Sequence, residues 1–331
     1  MSGGTGAAPT ATAVRARAPA KINLALHVGP RRADGFHDVA TVYQAIDLYD
    51  EVLAETRADG LVSVQTSDLN GNPVAGVADD RMHLAVRAAH ALRTRAGVGA
   101  GVHLRVRKQI PVAGGMAGGS ADAAAALVAC ARLWGLPNEP AGLAELAAGL
   151  GSDVPFALLG GTALGTGRGE RVAALPTGPP ATWVLVTSSS GLSTPSVYAE
   201  TDRYRAEHTV PAPQVDERLL RALSAGDLRL VAGSMRNELQ DAAQVLRPEL
   251  TDLIAAGSWA GALAGLVTGS GPSVALLVDD DVRATTVAAA VGPVARRLLP
   301  GAQVRTAHGP APGAHLVGTP EPAANEITPR P

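Results

Sequence analysis

The run Pro111-Val-Ala-Gly-Gly-Met-Ala-Gly-Gly-Ser-Ala121 constrains this chain more than any other segment. Gly114, Gly115, Gly118 and Gly119 carry no Cβ, and only Met116 among the eleven residues is bulky. Glycine admits positive φ and lets bare backbone approach a ligand closely. Ala121 to Trp134 follows at once and predicts a helix of strong formers, with Ser120 as its N-cap. A glycine-rich bend feeding a helix N-terminus points unpaired N–H donors and the positive dipole end the same way. The expected tenant is a nucleotide phosphate. From these residues alone, a turn that merely opens a helix stays open as the alternative. No lysine follows the glycines, as a Walker-type loop requires, and no acid for a ribose follows a G-x-G-x-x-G pattern.

Cation usage marks two further positions. Of 28 lysines and arginines together, only Lys21 and Lys108 are lysines. Where arginine is the default, a retained lysine points to a need for a compact ammonium rather than a planar fork. Lys21 stands in Ala18-Pro-Ala-Lys-Ile-Asn-Leu24, and Lys108 just before the glycine loop. For Lys108 a chance survivor is an equal reading. On a strand, Asn23 faces the same side as Lys21 and is available to polar substrate groups.

The remaining composition sets bounds. At 331 residues with 46% hydrophobic content, the chain predicts two lobes, each with a core of Ala, Val and Leu, since aromatics reach only 3%. A formal charge of −2 gives no basic footprint for nucleic acid. The single cysteine, Cys130, excludes an internal disulfide and a cysteine-rich metal site, and reads as a packed thiol. No apolar stretch is long enough to span a bilayer. Residues 1–14 lack a charged n-region before an apolar core and are expected to be a disordered tail rather than a signal peptide, as are residues 319–331. Cytoplasmic residence with no membrane and no obligate protein partner is the expectation.

The pattern along the chain reads as α+β. Strands are expected at Val14–Val28, Val39–Tyr49, Glu51–Glu55, Leu61–Thr66 and Val102–Lys108, with an amphipathic helix at Asp80–Ala96. Pro140–Leu150 and a short segment opened by Gly151-Ser-Asp-Val-Pro155 read as helices, and Gly160–Gly165 as a strand. A proline and glycine break near Pro176–Pro180 divides an N-terminal lobe, 15–176, from a C-terminal lobe, 177–318. In the latter, strands at Trp183–Thr187 and Val274–Val278 and helices at Asp216–Ala225, Leu228–Leu239 and Pro248–Ala256 are expected. Strands followed by helices in both halves favour α+β over alternating α/β. Thr268-Gly-Ser-Gly-Pro-Ser273 is a second glycine loop, either a phosphate neighbour or a tight strand-entry turn.

Ala18-Pro-Ala-Lys-Ile-Asn-Leu24, Arg32-Ala-Asp-Gly-Phe-His37, the 111–121 loop, Gly151-Ser-Asp-Val-Pro-Phe156 and Thr268-Gly-Ser-Gly271 together resemble the GHMP kinase superfamily. The resemblance runs from about Arg15 to Val278, with the motifs in the family's order, and is strongest to the branch acting on a cytidine-diphosphate-linked methylerythritol. It implies a two-lobed fold with the active site in the cleft between the lobes. It also implies ATP-dependent phosphorylation of that substrate's 2-hydroxyl, with ATP and Mg²⁺ and a small-molecule partner. The loop Pro111, Val112, Ala113, Gly114, Gly115, Met116, Ala117, Gly118, Gly119, Ser120 and Ala121 would hold the ATP phosphates, and Ser120 would lie near the metal ion. The resemblance makes Asp153 the general base and Lys21 its partner; helix capping is the plainer reading of Asp153. Phe36 and His37 would meet the cytosine, with Pro195 and Tyr198 lining the pyrimidine side from the second lobe; many relatives carry tyrosine where Phe36 stands. A homoserine- or mevalonate-type kinase and a non-catalytic sensor are the rivals. The 31–37 loop argues against the first, and the retention of both Lys21 and Asp153 against the second.

Overall fold

The computed structural model describes residues 12–137, 140–176 and 180–318. The expected tails at 1–11 and 319–331 and the centre of the expected break, 177–179, lie outside the described residues.

The first part of the chain forms β1 (Ala13–Arg31), β2 (His37–Arg57), β3 (Val62–Ser67), α1 (Leu84–Ala96), β4 (Gly101–Arg107), α2 (Gly118–Leu133), α3 (Pro140–Leu150), α4 (Val154–Leu159), β5 (Thr162–Thr166) and β6 (Arg171–Ala174). The rest forms β7 (Ala181–Thr187), α5 (Thr194–Tyr204), α6 (Glu217–Ala225), α7 (Leu228–Ser234), β8 (Arg236–Asn237), α8 (Gln240–Leu246), α9 (Glu249–Trp259), β9 (Ala264–Val267), β10 (Val274–Val278), α10 (Asp281–Leu298), β11 (Gln303–Gly309) and β12 (His315–Leu316). The expected tail 1–14 is too long by two residues, because Ala13 and Val14 pair with Glu55 and Ala54.

The large sheet runs β12-β1-β2-β4-β3, with β5 and β6 beyond β2 and β8 alongside β1. β1 and β2 span 19 and 21 residues and are antiparallel, with register shifts at Pro19/Ala20, Asn23/Ala25 and Val28/Arg31 that bend the pair. The two strands expected at Val39–Tyr49 and Glu51–Glu55 are therefore one. Helix α2 lies on β1 and β2 and is covered in turn by α1 and α4. Its alanines from 123 to 126 are fully buried, and only such small side chains allow a helix to be packed closely on every side. The second sheet, β11-β7-β10-β9, is antiparallel and is backed by α9 and α10.

The halves are stitched together. β8 pairs in parallel with Ala25 and Leu26 of β1, and β12 pairs with Ala16 and Arg17 of the same strand. One hydrophobic cluster takes in Ile22 and Leu127 from the first half together with Trp183, Leu219 and Leu277 from the second. Trp183 Nε1 donates to Gln44 Oε1 at 2.9 Å across this junction.

Two local expectations need correcting. Ser120 is not the N-cap of α2: the helix starts at Gly118, and Ala117 caps it in the left-handed region (φ 61°) without a side-chain bond. The expected helix Leu228–Leu239 is broken after Ser234. There Asn237 donates to the carbonyls of Val267 and Gly269, both at 2.7 Å, which draws residues 236–237 onto β1. Among the described residues, no helix is long and apolar enough to cross a membrane. Cys130 is buried, and burial pushes its thiol up to about 12.

Candidate active site

A cleft of about 880 Å³ opens where the glycine loop, the middle of β1, the 31–37 loop and α5 meet. Small-molecule sites run to roughly 300–1,000 Å³, so this one has room for a nucleotide and a second ligand.

The glycine loop forms one wall. Left-handed residues Ala113 (φ 52°), Gly115 (φ 75°) and Ala117 (φ 61°) coil it so that it delivers α2 to the cleft uncapped. Among the described residues, the amides of Gly115, Gly118, Gly119 and Ser120 donate no hydrogen bond, so α2 presents its orphan donors to the cavity. The second glycine loop packs on the first, backbone to backbone. A Cβ on Gly115 would collide with the carbonyl of Thr268, and one on Gly269 would lie 2.8 Å from the carbonyl of Gly115 and 3.1 Å from Lys21 Nζ. These two glycines are required by close approach as well as by their positive φ.

Lys21 and Asp153 stand at the floor. The Lys21 ammonium is buried and donates to Asn23 Oδ1 at 2.7 Å; Asn23 Nδ2 donates to Thr41 Oγ1, also at 2.7 Å. Lysine has three donors, so two remain for a ligand. Burial lowers the Lys21 pKa and the Asp153 charge opposes that shift, an electrostatic sign that the two groups are neighbours. They do not touch: among the described residues, Lys21 forms no ion pair within 4.0 Å. Asp153 occupies the N-cap position of α4 yet makes no capping bond. Its Oδ1 accepts from the Tyr43 hydroxyl at 3.0 Å, which removes capping as the use of this carboxylate.

The 31–37 loop is held by its own acids. Arg32 bridges Asp34 (2.8 Å) and Asp38 (2.9 Å), and Asp34 Oδ1 accepts from the Phe36 amide at 3.1 Å in a side-chain turn. The loop presents Phe36 half in solvent (53% exposed), with the Arg168 guanidinium 5.2 Å from its ring centre. His37 turns inward, its ring 4.9 Å from that of Tyr198, and Nε2 lies 2.8 Å from Asp202 Oδ1. An ionised carboxylate only accepts, so Nε2 carries the proton, and in a neutral ring Nδ1 is then a bare acceptor. Burial pushes the Tyr198 hydroxyl up to about 12, the Asp153 charge adding to it. Ser193 caps α5, Pro195 sits in its first turn, and Thr194 Oγ1 lies 2.8 Å from Ser270 Oγ of the second glycine loop.

Of the residues expected from sequence, Lys21, Asn23, Phe36, His37, Asp153, Pro195, Tyr198 and the loop positions Pro111 to Gly115 and Ala117 to Ser120 line one cleft. Met116 and Ala121 do not: both side chains are fully buried in the core, and Met116 offers only its carbonyl, to the Lys21 amide at 3.2 Å. Sequence reasoning missed Tyr43, Arg168 and Asp202. Asp202 follows Tyr198 by four residues, a spacing that places both on one helix face and was a usable signal. Tyr43 belongs to no motif.

Lys108 has a different use from Lys21. Its buried ammonium donates to Asp50 and, at 2.7 Å, to Asp122 Oδ2. Burial alone would lower its pKa, but the two carboxylates outweigh that and raise it. Asp50 also accepts from the amides of Gln109 (2.6 Å) and Ile110 (2.9 Å), so this triad fixes the residues that lead into the glycine loop. Asp122 Oδ1 is buried without a partner among the described residues.

Comparison with known proteins follows the same lines. Residues 83–161 match the GHMP kinases N terminal domain, and residues 219–293 match the GHMP kinases C terminal region. A 4-diphosphocytidyl-2-C-methyl-D-erythritol kinase from Kineococcus radiotolerans is 51% identical over 290 residues, covering 87% of this chain and 88% of the relative. A protein of the same name from Streptomyces coelicolor is 50% identical over 305 residues, covering 92% and 99%. The crystal structure of a 4-(cytidine 5'-diphospho)-2C-methyl-D-erythritol kinase superposes with a TM-score of 0.69 at 32% identity, covering 89% of this chain and 99% of that one. A homoserine kinase from Cytophaga hutchinsonii shares the fold, with a TM-score of 0.74 at 18% identity, covering 94% and 99%.

Proposed function

The chain belongs to the GHMP kinase family, and we propose that it transfers the terminal phosphate of ATP to the 2-hydroxyl of 4-diphosphocytidyl-2-C-methyl-D-erythritol. The products are the 2-phosphate and ADP, in the non-mevalonate route to isoprenoid precursors, and the reaction is placed in the cytoplasm. The observation that carries the reading is a single cleft. An amide-lined glycine loop, a buried lysine and an uncapped aspartate share it with a loop that offers a ring face and a histidine.

The geometry supports a role for each residue. The free amides of Gly115 and Gly118 to Ser120 suit the phosphates, whose negative charge the α2 terminus favours. Asp153 has one oxygen committed to Tyr43 and accepts the proton of the substrate alcohol on the other. The alcohol oxygen takes the phosphoryl group as its proton leaves. Lys21 lowers the cost of the charge that develops there, and two of its N–H bonds are uncommitted for that purpose. Phosphoryl transfer asks for positioning and charge neutralisation more than for covalent chemistry, and both are present in this arrangement.

Mg²⁺ fits the donors at the start of α2. Ser120 supplies a hydroxyl and Asp122 a buried oxygen with no partner among the described residues, both lining the cleft. Among the described residues there is no cluster of three or more acidic, histidine or cysteine side chains that would cage a metal. A cation held there by one or two protein oxygens and the phosphates would neutralise phosphate charge. At the other end, Phe36 offers a face for the cytosine and His37 Nδ1 an acceptor for its exocyclic amine, with Tyr198 and Pro195 opposite.

The test is coupled ADP release with the cytidylyl substrate, homoserine and mevalonate offered in turn. Turnover confined to the first is expected. Equal rates with either of the others would remove the substrate assignment while leaving the kinase.

A further inference from the structure

Tyr43 sits on β2 and touches both members of the Lys21–Asp153 couple. Its hydroxyl donates to Asp153 Oδ1 at 3.0 Å, and Lys21 Nζ lies 5.7 Å from its ring centre, within cation–π range. The ring is buried and stacked on Phe156, with centroids 4.7 Å apart at 25°. The chain makes room for it. A Cβ on Gly165 would fall 2.5 Å from the Tyr43 ring, and one on Gly169, at φ 107°, would run into its hydroxyl. The glycine spacing of Gly165-Thr-Gly-Arg-Gly169 thus has a physical reason in Tyr43.

We propose that Tyr43 is a positioning residue of the phosphoryl-transfer site, a spacer that holds Asp153 and Lys21 in reach of one alcohol but out of reach of each other. Without a spacer, a buried ammonium and a neighbouring carboxylate would close into a direct ion pair, which occupies the oxygen and the N–H bonds the reaction needs. The phenol prevents this by serving both charges, the carboxylate through its hydroxyl and the ammonium through its ring face. With Oδ1 fixed, Oδ2 of Asp153 is the oxygen presented to the substrate. The hydroxyl stays a donor across the working range, because burial raises its pKa well above the ordinary tyrosine value and the Asp153 charge raises it further.

The proposal rests on the reading of Asp153 as the base, and its test separates the two. Tyr43→Phe keeps the ring, the Phe156 stack and the face under Lys21, and removes only the hydroxyl. The kcat is expected to fall about tenfold, the scale of one hydrogen bond to a charged group, with KM for ATP and for the cytidylyl substrate within twofold. In an Asp153→Asn background the same substitution should add nothing. A Tyr43→Phe enzyme with wild-type kcat, or one whose loss of kcat persists in the Asp153→Asn background, overturns the proposal, even if Asp153→Asn is inactive. An active Asp153→Asn enzyme overturns the base assignment on which the proposal rests.

Discussion

Replacing Lys108 by methionine tests whether the glycine loop is held from beneath by charge. The substitution nearly preserves side-chain volume but removes the cation shared by Asp50 and Asp122, whose side chains are 0% and 3% exposed. Removing one partner of a buried ionic group strands its counter-charges, at a cost of about 3–5 kcal/mol. A chain of this size loses roughly 2 °C per kcal/mol, so the melting temperature should fall by about 6–10 °C. The pH dependence has a definite sign. Burial already raises the Asp50 carboxyl to about 7, against the pull of Lys108. Without the cation it rises further above its unfolded value, so the folded variant binds more protons than the unfolded one, and its stability declines as the pH rises. The deficit relative to wild type should therefore be larger at pH 8 than at pH 6. Urea unfolding followed by circular dichroism at the two pH values measures this, and adding Asp50→Asn to the variant should recover part of the loss. Unfolding midpoints that match wild type at pH 8, or a deficit that grows on acidification, would refute the reasoning.

Three further outcomes can be checked. Asp153→Asn should lower kcat by about 10²–10⁴-fold while calorimetric ATP affinity stays within threefold; a parallel loss of affinity would mean that Asp153 serves binding instead. Gly115→Ala places a side chain at φ 75° and against the Thr268 carbonyl. It should cost about 1–3 kcal/mol of stability and weaken ATP binding, and wild-type affinity and melting would show that the two glycine loops part easily. Asp202→Leu leaves the His37 tautomer unfixed, so KM for the cytidylyl substrate should rise about tenfold with KM for ATP unchanged, and nitrogen NMR of the imidazole should show Nε2–H no longer dominant. A single Nε2–H tautomer persisting in that variant contradicts the assignment.

The residues legible in the sequence were those whose chemistry is local. The glycine loop announces itself because positive φ and missing side chains are properties of single residues. Lys21 stands out because lysine is rare here. The same rarity marked Lys108, but sequence could not separate the two uses: Asp50 lies 58 residues away, and only the pairing of β2 with β4 brings it close. Tyr43 was illegible for a related reason, since its contact with Asp153 spans 110 residues and neither position shows a period or a motif to the other. Ser120 misled because cap propensity favours serine, whereas this loop leaves its helix uncapped and points the spare donors into the cleft. Helix Leu228–Leu239 failed because Asn237 finds better acceptors in a distant loop than a helix could provide.

β1 carries Lys21 and is bordered by its neighbour in sequence, β2, and by two strands from distant stretches of chain, β8 and β12. The strand that holds the buried Lys21 ammonium is thus anchored by one segment made soon after it and two made late. A nascent polypeptide halted before residue 315 would expose an open β1 edge where Arg17 should meet His315. An unpaired strand edge beside Ala16 and Arg17 therefore persists until β12 has been made.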